Sequence, residues 1–147
     1  MQSQNPITYR TVFDCVAYSF LKSTLFVSLF YFLVWFLGSP SEMAILVLVT
    51  VLLGSLFSPI FVFPAIILAA FLFKKYLDKS ILNVFHWLFG AVVVGVLYAL
   101  CIKVGTSTFD GSLIKYTLLT SLITGYLCWK KLAITPENKE SDLESAL

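Results

Sequence analysis

Met43–Phe73 reads MAILVLVTVLLGSLFSPIFVFPAIILAAFLF, an apolar run broken only by small polar residues and two prolines, with no charged side chain. At about 1.5 Å per residue a straight helix of this length would be roughly 46 Å long. A bilayer's hydrocarbon core is about 30 Å thick. The run is long enough to cross a membrane and too long to do so upright, so it must tilt, kink or project. The place for a kink is marked. Pro59 has no amide hydrogen for the carbonyl of Ser55, and Pro64 has none for that of Ile60; each ring also crowds the preceding turn. Gly54, Ser55 and Ser58 lie just before the first proline. A carbonyl freed inside a membrane needs a hydroxyl, a water or a neighbouring helix as its partner, and Ser55 and Ser58 can supply the hydroxyl. Two readings of Ser55, Ser58, Pro59 and Pro64 follow. One is a kinked, overlong span, since proline is common in membrane helices. The other is a broken helix whose open backbone lines a path for an ion or solute. The lack of charge nearby favours the first.

The rest of the chain has the same character. It is 59% hydrophobic and 12% charged, with a mean hydropathy of +0.93. A soluble domain is about 45–50% apolar and about 25% charged. The 147 residues leave room for one compact membrane domain and no sizeable soluble one. A net charge of +2, spread along the sequence, excludes the concentrated basic patch that nucleic-acid binding needs. Cys15, Cys101 and Cys128 are odd in number and widely spaced. They fit no metal or disulfide pattern and read as buried free thiols.

Upstream of the central run, Pro6 and Thr8 suit the start of a helix near Tyr9, and Arg10 and Asp14 have the spacing of a helical ion pair. An apolar run follows over about 16–38, interrupted by Lys22. It is too long for a signal-peptide core, and Gly38-Ser39-Pro40 is a poor cleavage site, so an uncleaved span is expected. Lys22 lies near enough to the boundary for its stem to reach the headgroups. The alternative is an intramembrane charge pair of Lys22 with Asp14. Downstream of the turn Gly38–Glu42 and the run 43–73 comes the basic cluster Lys74-Lys75-Tyr76-Leu77-Asp78-Lys79. Two further runs cover about 81–102 and 113–129, separated by the polar loop KVGTSTFDGS. Residues 132–147 form a polar, mostly acidic tail, expected to be flexible, with a weak capping-box spacing at Ser141 and Glu144.

The expected fold is therefore all-α: a polytopic membrane domain over 1–131, built as a four-transmembrane-helix bundle with a kinked second helix. Arg10, Lys22, Lys74, Lys75, Lys79, Lys130, Lys131 and Lys139 would lie on one side, and only Lys103 and Lys115 on the other. The positive-inside rule then places both termini in the cytoplasm. A re-entrant hairpin turning at Ser55–Pro59 would put the basic cluster on the wrong side. Tyr76, Trp87, Tyr126 and Trp129 fall at the inner boundary, where amphipathic rings are favoured, as does His86.

Small residues mark the packing faces. Ala91, Gly95 and Ala99 recur every four residues in the third run, and Thr117, Ser121 and Gly125 do so in the fourth. Such faces let backbones approach closely, which matters in lipid because the solvent is as apolar as leucine. Ala65 and Ala69 give a shorter version. The chemistry is thin by comparison. There is no glycine-rich phosphate loop, no HExxH, no CxxC and no Ser-His-Asp set on one face. No acid or base falls at mid-depth in the second, third or fourth run, where ion-coupled transporters place theirs. No catalytic, cofactor-binding or metal-ligating residue is expected, and the chain does not read as an enzyme.

The layout resembles that of small bacterial inner-membrane proteins acting by helix–helix contact, such as immunity proteins against pore-forming toxins and conjugation exclusion proteins. The resemblance is one of size and topology. It implies a multi-pass protein of the cell inner membrane whose partners are the bilayer and another membrane protein or a second copy of itself. The alternative is a small oligomeric channel or transporter with the broken second helix lining the path.

Overall fold

The computed structural model describes residues 7–38, 40, 42–106 and 111–134. It contains α1 (Tyr9–Gly38), α2 (Ala44–Phe61), α3 (Phe63–Asp78), α4 (Val84–Thr106) and α5 (Gly111–Trp129), which runs on into a π-helical turn (Lys130–Ile134). There is no strand among the described residues. The helices α1, α2 and α4 are long and apolar enough to cross a bilayer. That makes membrane association the plain reading of the fold. The tail 135–147, with the Ser141–Glu144 spacing, lies outside the described residues. Leu132 and Ala133, assigned to that tail from sequence, are instead buried where α5 continues.

The run 43–73 is not one helix. It divides at Val62, whose backbone (φ −106°, ψ 19°) leaves helical geometry between the two prolines. Pro64 falls in the first turn of α3, where amide groups have no intrahelical acceptor anyway. Pro59 lies within α2, and the carbonyl it deprives is answered locally: Ser58 Oγ donates to Ser55 O at 2.9 Å. The Val62 amide donates to Ser58 O at 3.1 Å, while its carbonyl accepts from Ala65 and Ile66. Hydrogen bonding thus continues across the helix boundary. α3 then continues through the basic cluster to Asp78, where Lys74 and Asp78 pair one turn apart.

The ends of the helices follow local chemistry. Thr8 Oγ1 accepts from the Thr11 amide at the start of α1, and Asn83 Oδ1 accepts from the Phe85 amide at the start of α4, both as N-caps do. The α3–α4 turn passes through Ser80 in a left-handed conformation (φ 54°). Two indoles hold it: Trp87 Nε1 donates to Ile81 O and Trp129 Nε1 donates to Leu82 O, each at 2.8 Å.

The core gathers the first part of α1 with α3, α4 and α5. Val12, Val16 and Phe20 of α1 bury against Ile66, Ala69 and Phe73 of α3 and against Trp87, Val94 and Tyr98 of α4. Phe73 stacks on Trp87 with centroids 4.8 Å apart, and Phe20 meets Tyr98 edge-on at 5.2 Å. The second part of α1 and all of α2 stand apart from this core. Ser55 is the one buried residue of α2, which rests chiefly on α1.

Candidate functional site: a hydroxyl chain beneath an apolar groove

Where α1 and α2 leave the core, a groove of about 700 Å³ opens between them and the first turns of α5. That is within the range of small-ligand and side-chain pockets, about 300–1,000 Å³. Its walls are Tyr31, Phe32 and Trp35 of α1 and Val47 and Val51 of α2. Gly54 also lines it, and a Cβ there would meet nothing within 4 Å. The rim is aromatic because α1 carries YFLVWF over residues 31–36.

The floor is polar. Ser28, Ser55 and Tyr116 come from three helices and meet there. Ser55 Oγ donates to Ser28 Oγ at 2.8 Å or back to the Val51 carbonyl at 2.8 Å. Its single hydrogen serves one acceptor at a time. Ser28 Oγ and Tyr116 Oη lie 2.9 Å apart, and either can donate. The Tyr116 ring packs near those of Tyr31 and Tyr98, with centroids 6.0 and 6.4 Å away. Behind them Thr24 is fully buried, and its Oγ1 has no partner with hydrogen-bond geometry. Four further helix hydroxyls fold back on carbonyls of their own helices: Thr117 to Ile114, Thr120 to Tyr116, Thr124 to Thr120 and Ser23 to Ser19. The groove therefore offers apolar walls over uncharged groups that can both donate and accept. It suits a segment that is mostly apolar with one polar group to satisfy.

The residues singled out from sequence fall in three places. Ala91, Gly95 and Ala99 of α4 meet Gly125, Ser121 and Thr117 of α5 in antiparallel register. A Cβ on Gly125 would lie 2.6 Å from that of Ala91, and one on Gly95 would lie 3.2 Å from that of Ser121. Ala99 and Thr117 line one small crevice of about 110 Å³. This seam is internal to the chain. Of the second group, Ser55 is buried in the hydroxyl chain, Ser58 bonds the Ser55 carbonyl, and Pro59 and Pro64 flank the break at Val62. Of the third, Asp14 and Lys22 are both exposed and form no ion pair with each other. Lys22 Nζ lies over the Tyr18 ring, 4.5 Å from its centroid.

Sequence reasoning missed Ser28 and Tyr116. The signal available for α1 was the series Ser19, Ser23, Thr24 and Ser28, all buried, whose spacing places them on one helical face. It also did not bring the cysteines together. Cys15 and Cys128 are buried side by side, with Cys128 Sγ 4.0 Å from the Cys15 carbonyl oxygen. Tyr116 carries no local signal at all. His86 is exposed in the first turn of α4.

Comparison of the chain with protein-family models, curated proteins and solved structures finds no significant match.

Proposed function

We propose that the chain is a small multi-pass protein of the inner membrane that acts by helix–helix interaction with another membrane protein, and that the groove between α1 and α2 is its contact surface. The observation carrying this reading is the division of labour between the helices. The small-residue seam of α4 and α5 is occupied within the chain, whereas α2 keeps a single buried residue and stands beside an open groove with a hydroxyl floor. Polar groups at the base of an apolar groove favour a partner helix over lipid tails, because tails cannot use the hydrogen bonds. In this reading α1, α2 with α3, α4 and α5 make four crossings, the second bent at Val62. The distribution of Lys and Arg puts both termini in the cytoplasm.

A photo-crosslinking side chain at Val47, in the groove, and at Phe89, on the exposed face of α4, tests the contact in native membranes. A discrete adduct from position 47 and none from position 89 is the expected result. Equal labelling from both positions would remove the groove from the proposal. Reporter fusions after Leu147 and within 106–111 test the topology, and an external carboxyl terminus would overturn it.

The second reading, a small oligomeric channel or transporter, is favoured by one observation: Gly54 and Ser55, about two turns before the helix break at Val62, line the groove. Purified protein in liposomes separates the two. Saturable flux of a defined solute would sink the interaction reading.

A further inference from the structure

Away from the groove, the fold brings two thiols together. Cys15 lies in the second turn of α1 and Cys128 in the last turn of α5, at the end of the bundle where Trp129 bonds the α3–α4 turn. They are 113 residues apart in the chain, yet Cys128 Sγ is 4.0 Å from the Cys15 carbonyl oxygen. Each thiol is within reach of the other, and the Ser19 hydroxyl is within reach of both. Both thiols are free. Cys101, the third cysteine, is remote from them. Ala99, half a turn before it in α4, shares a crevice with Thr117, toward the opposite end of α5 from Cys128.

The pair belongs to the core, with Cys15 5% and Cys128 0% exposed. There is nonetheless a way in for a small molecule. A second cavity, of about 380 Å³, lies between α1 and the end of α5, lined by Tyr18, Ser19, Lys22, Leu127, Lys130 and Lys131. Ser19 belongs to both places: it lines the cavity and its hydroxyl lies within hydrogen-bond reach of both sulfurs. A molecule in the cavity is therefore one side chain away from the thiols. The neighbouring Tyr126 and Trp129 are the aromatic side chains typical of a membrane–water boundary, so the cavity lies where water-borne solutes arrive. Burial restricts which of them can react. A bulky disulfide reagent cannot reach a sulfur so enclosed, whereas hydrogen peroxide is little larger than water.

We propose that Cys15 and Cys128 form a peroxide-sensitive dithiol that closes reversibly to a disulfide, tying α1 to α5. The Cys15 sulfur, the less buried, attacks one oxygen of hydrogen peroxide. The O–O bond breaks, an S–O bond forms, and the thiol proton leaves with the departing oxygen as water. The Cys128 sulfur then displaces the hydroxyl from Cys15; the S–S bond forms, and the second thiol proton leaves with that hydroxyl as a second water. Two electrons have passed from the dithiol to the peroxide. Two equivalents of a small thiol return them by exchange at the disulfide. The proposed topology puts this end of the bundle on the cytoplasmic side, where thiols are kept reduced, so the open dithiol is the resting state. The pair's chemistry depends neither on that topology nor on the groove.

The test uses the full chain, purified in a neutral detergent with reductant, freed of it and treated with hydrogen peroxide. Denaturation with a maleimide-linked polymer then counts thiols by gel shift. The wild-type chain should pass from three reactive thiols to one, and dithiothreitol should restore all three. Proteolysis without reduction should give a linked pair of peptides containing Cys15 and Cys128, a readout that needs no variant. Closure should raise the thermal midpoint by about 5–10 °C, because a link across so long a loop restricts the unfolded chain. Cys15→Ala and Cys128→Ala should each abolish that rise, and Cys101→Ala should keep it. Cys128→Ala also removes the second thiol, so Cys15 should stop as a sulfenic acid and be captured by dimedone. Links to Cys101 or between chains in place of the Cys15–Cys128 link would overturn the proposal, as would thiol loss that dithiothreitol does not reverse. A midpoint that fails to rise would show that the bond forms only in unfolded chains, and would overturn it equally.

Discussion

Gly125→Ala adds one methyl group to α5 at the tightest point of its seam with α4. The new Cβ would lie 2.6 Å from the Cβ of Ala91, while the Trp87 carbonyl at 3.4 Å and the Phe73 ring at 3.8 Å remain ordinary neighbours. Carbon atoms prefer a separation of about 3.5–4.0 Å, so the two helices must part by about 1 Å. Ala91 cannot yield alone, because its Cβ is fixed to the α4 backbone. Overpacking of this kind costs about 1–3 kcal/mol. Exchanging glycine for alanine in a helix returns about 1 kcal/mol. The expected net loss is about 1–2 kcal/mol, since parting the helices also loosens the next contact, Gly95 against Ser121. The pair Gly125→Ala/Ala91→Gly moves the methyl from one helix to the other. Ala91→Gly alone should cost about 1 kcal/mol in helix propensity, and in that background Gly125→Ala should regain it. A double-mutant cycle, read by circular dichroism during denaturation in mixed detergent micelles, should therefore show coupling of about 2–3 kcal/mol. Gly54→Ala, with nothing within 4 Å of its Cβ, is the control and should lose nothing. Additive effects at positions 91 and 125, or a Gly125→Ala protein as stable as the parent, would refute the seam's register.

The same titration checks two further expectations, and thermal unfolding a third. Ser58→Ala should cost about 0.5–1 kcal/mol, because it strips the Ser55 carbonyl of its hydroxyl partner; Pro59→Ala should hold or raise stability and abolish the Ser58→Ala loss, and an equal loss in both backgrounds would show that the hydroxyl is not replacing the amide. Ser28→Ala breaks both links of the hydroxyl chain and should cost about 1–2 kcal/mol, whereas Tyr116→Phe breaks one and should cost about half as much; equal effects would deny that the three groups act as a chain. Ser80→Gly should raise the thermal midpoint, the left-handed conformation costing an ordinary residue about 1 kcal/mol, and an unchanged midpoint would mean that the turn bears no such strain.

Much of the helical layout was legible because it depends on local properties. Apolarity over a score of residues and a proline's missing amide act within a turn or two of the backbone, so the sequence marked the helices, and Pro59 and Pro64 bracketed the break later found at Val62. Spacing of four also marked Ala91, Gly95 and Ala99, and Thr117, Ser121 and Gly125, as packing residues. It did not say that the two sets would face each other inside one chain. The hydroxyl chain was out of reach: Ser55 and Ser28 are 27 residues apart, and Ser28 and Tyr116 are 88 apart. So was the meeting of Lys22 with Lys130 and Lys131, and that of Cys15 with Cys128.

By itself, then, the sequence determined an all-helical, membrane-associated chain and the points at which its helices start, break and turn. Only the tertiary structure decided how each helix is rotated about its axis, which hydroxyls meet, and which apolar surfaces stay open. The reason is physical. A soluble helix announces its buried side through a stripe of apolar residues, but α2 and α4 are apolar nearly all round. In lipid that leaves rotation to close approach at small residues and to hydrogen bonds between helices. Those are properties of pairs of helices, and they exist only once the helices have met.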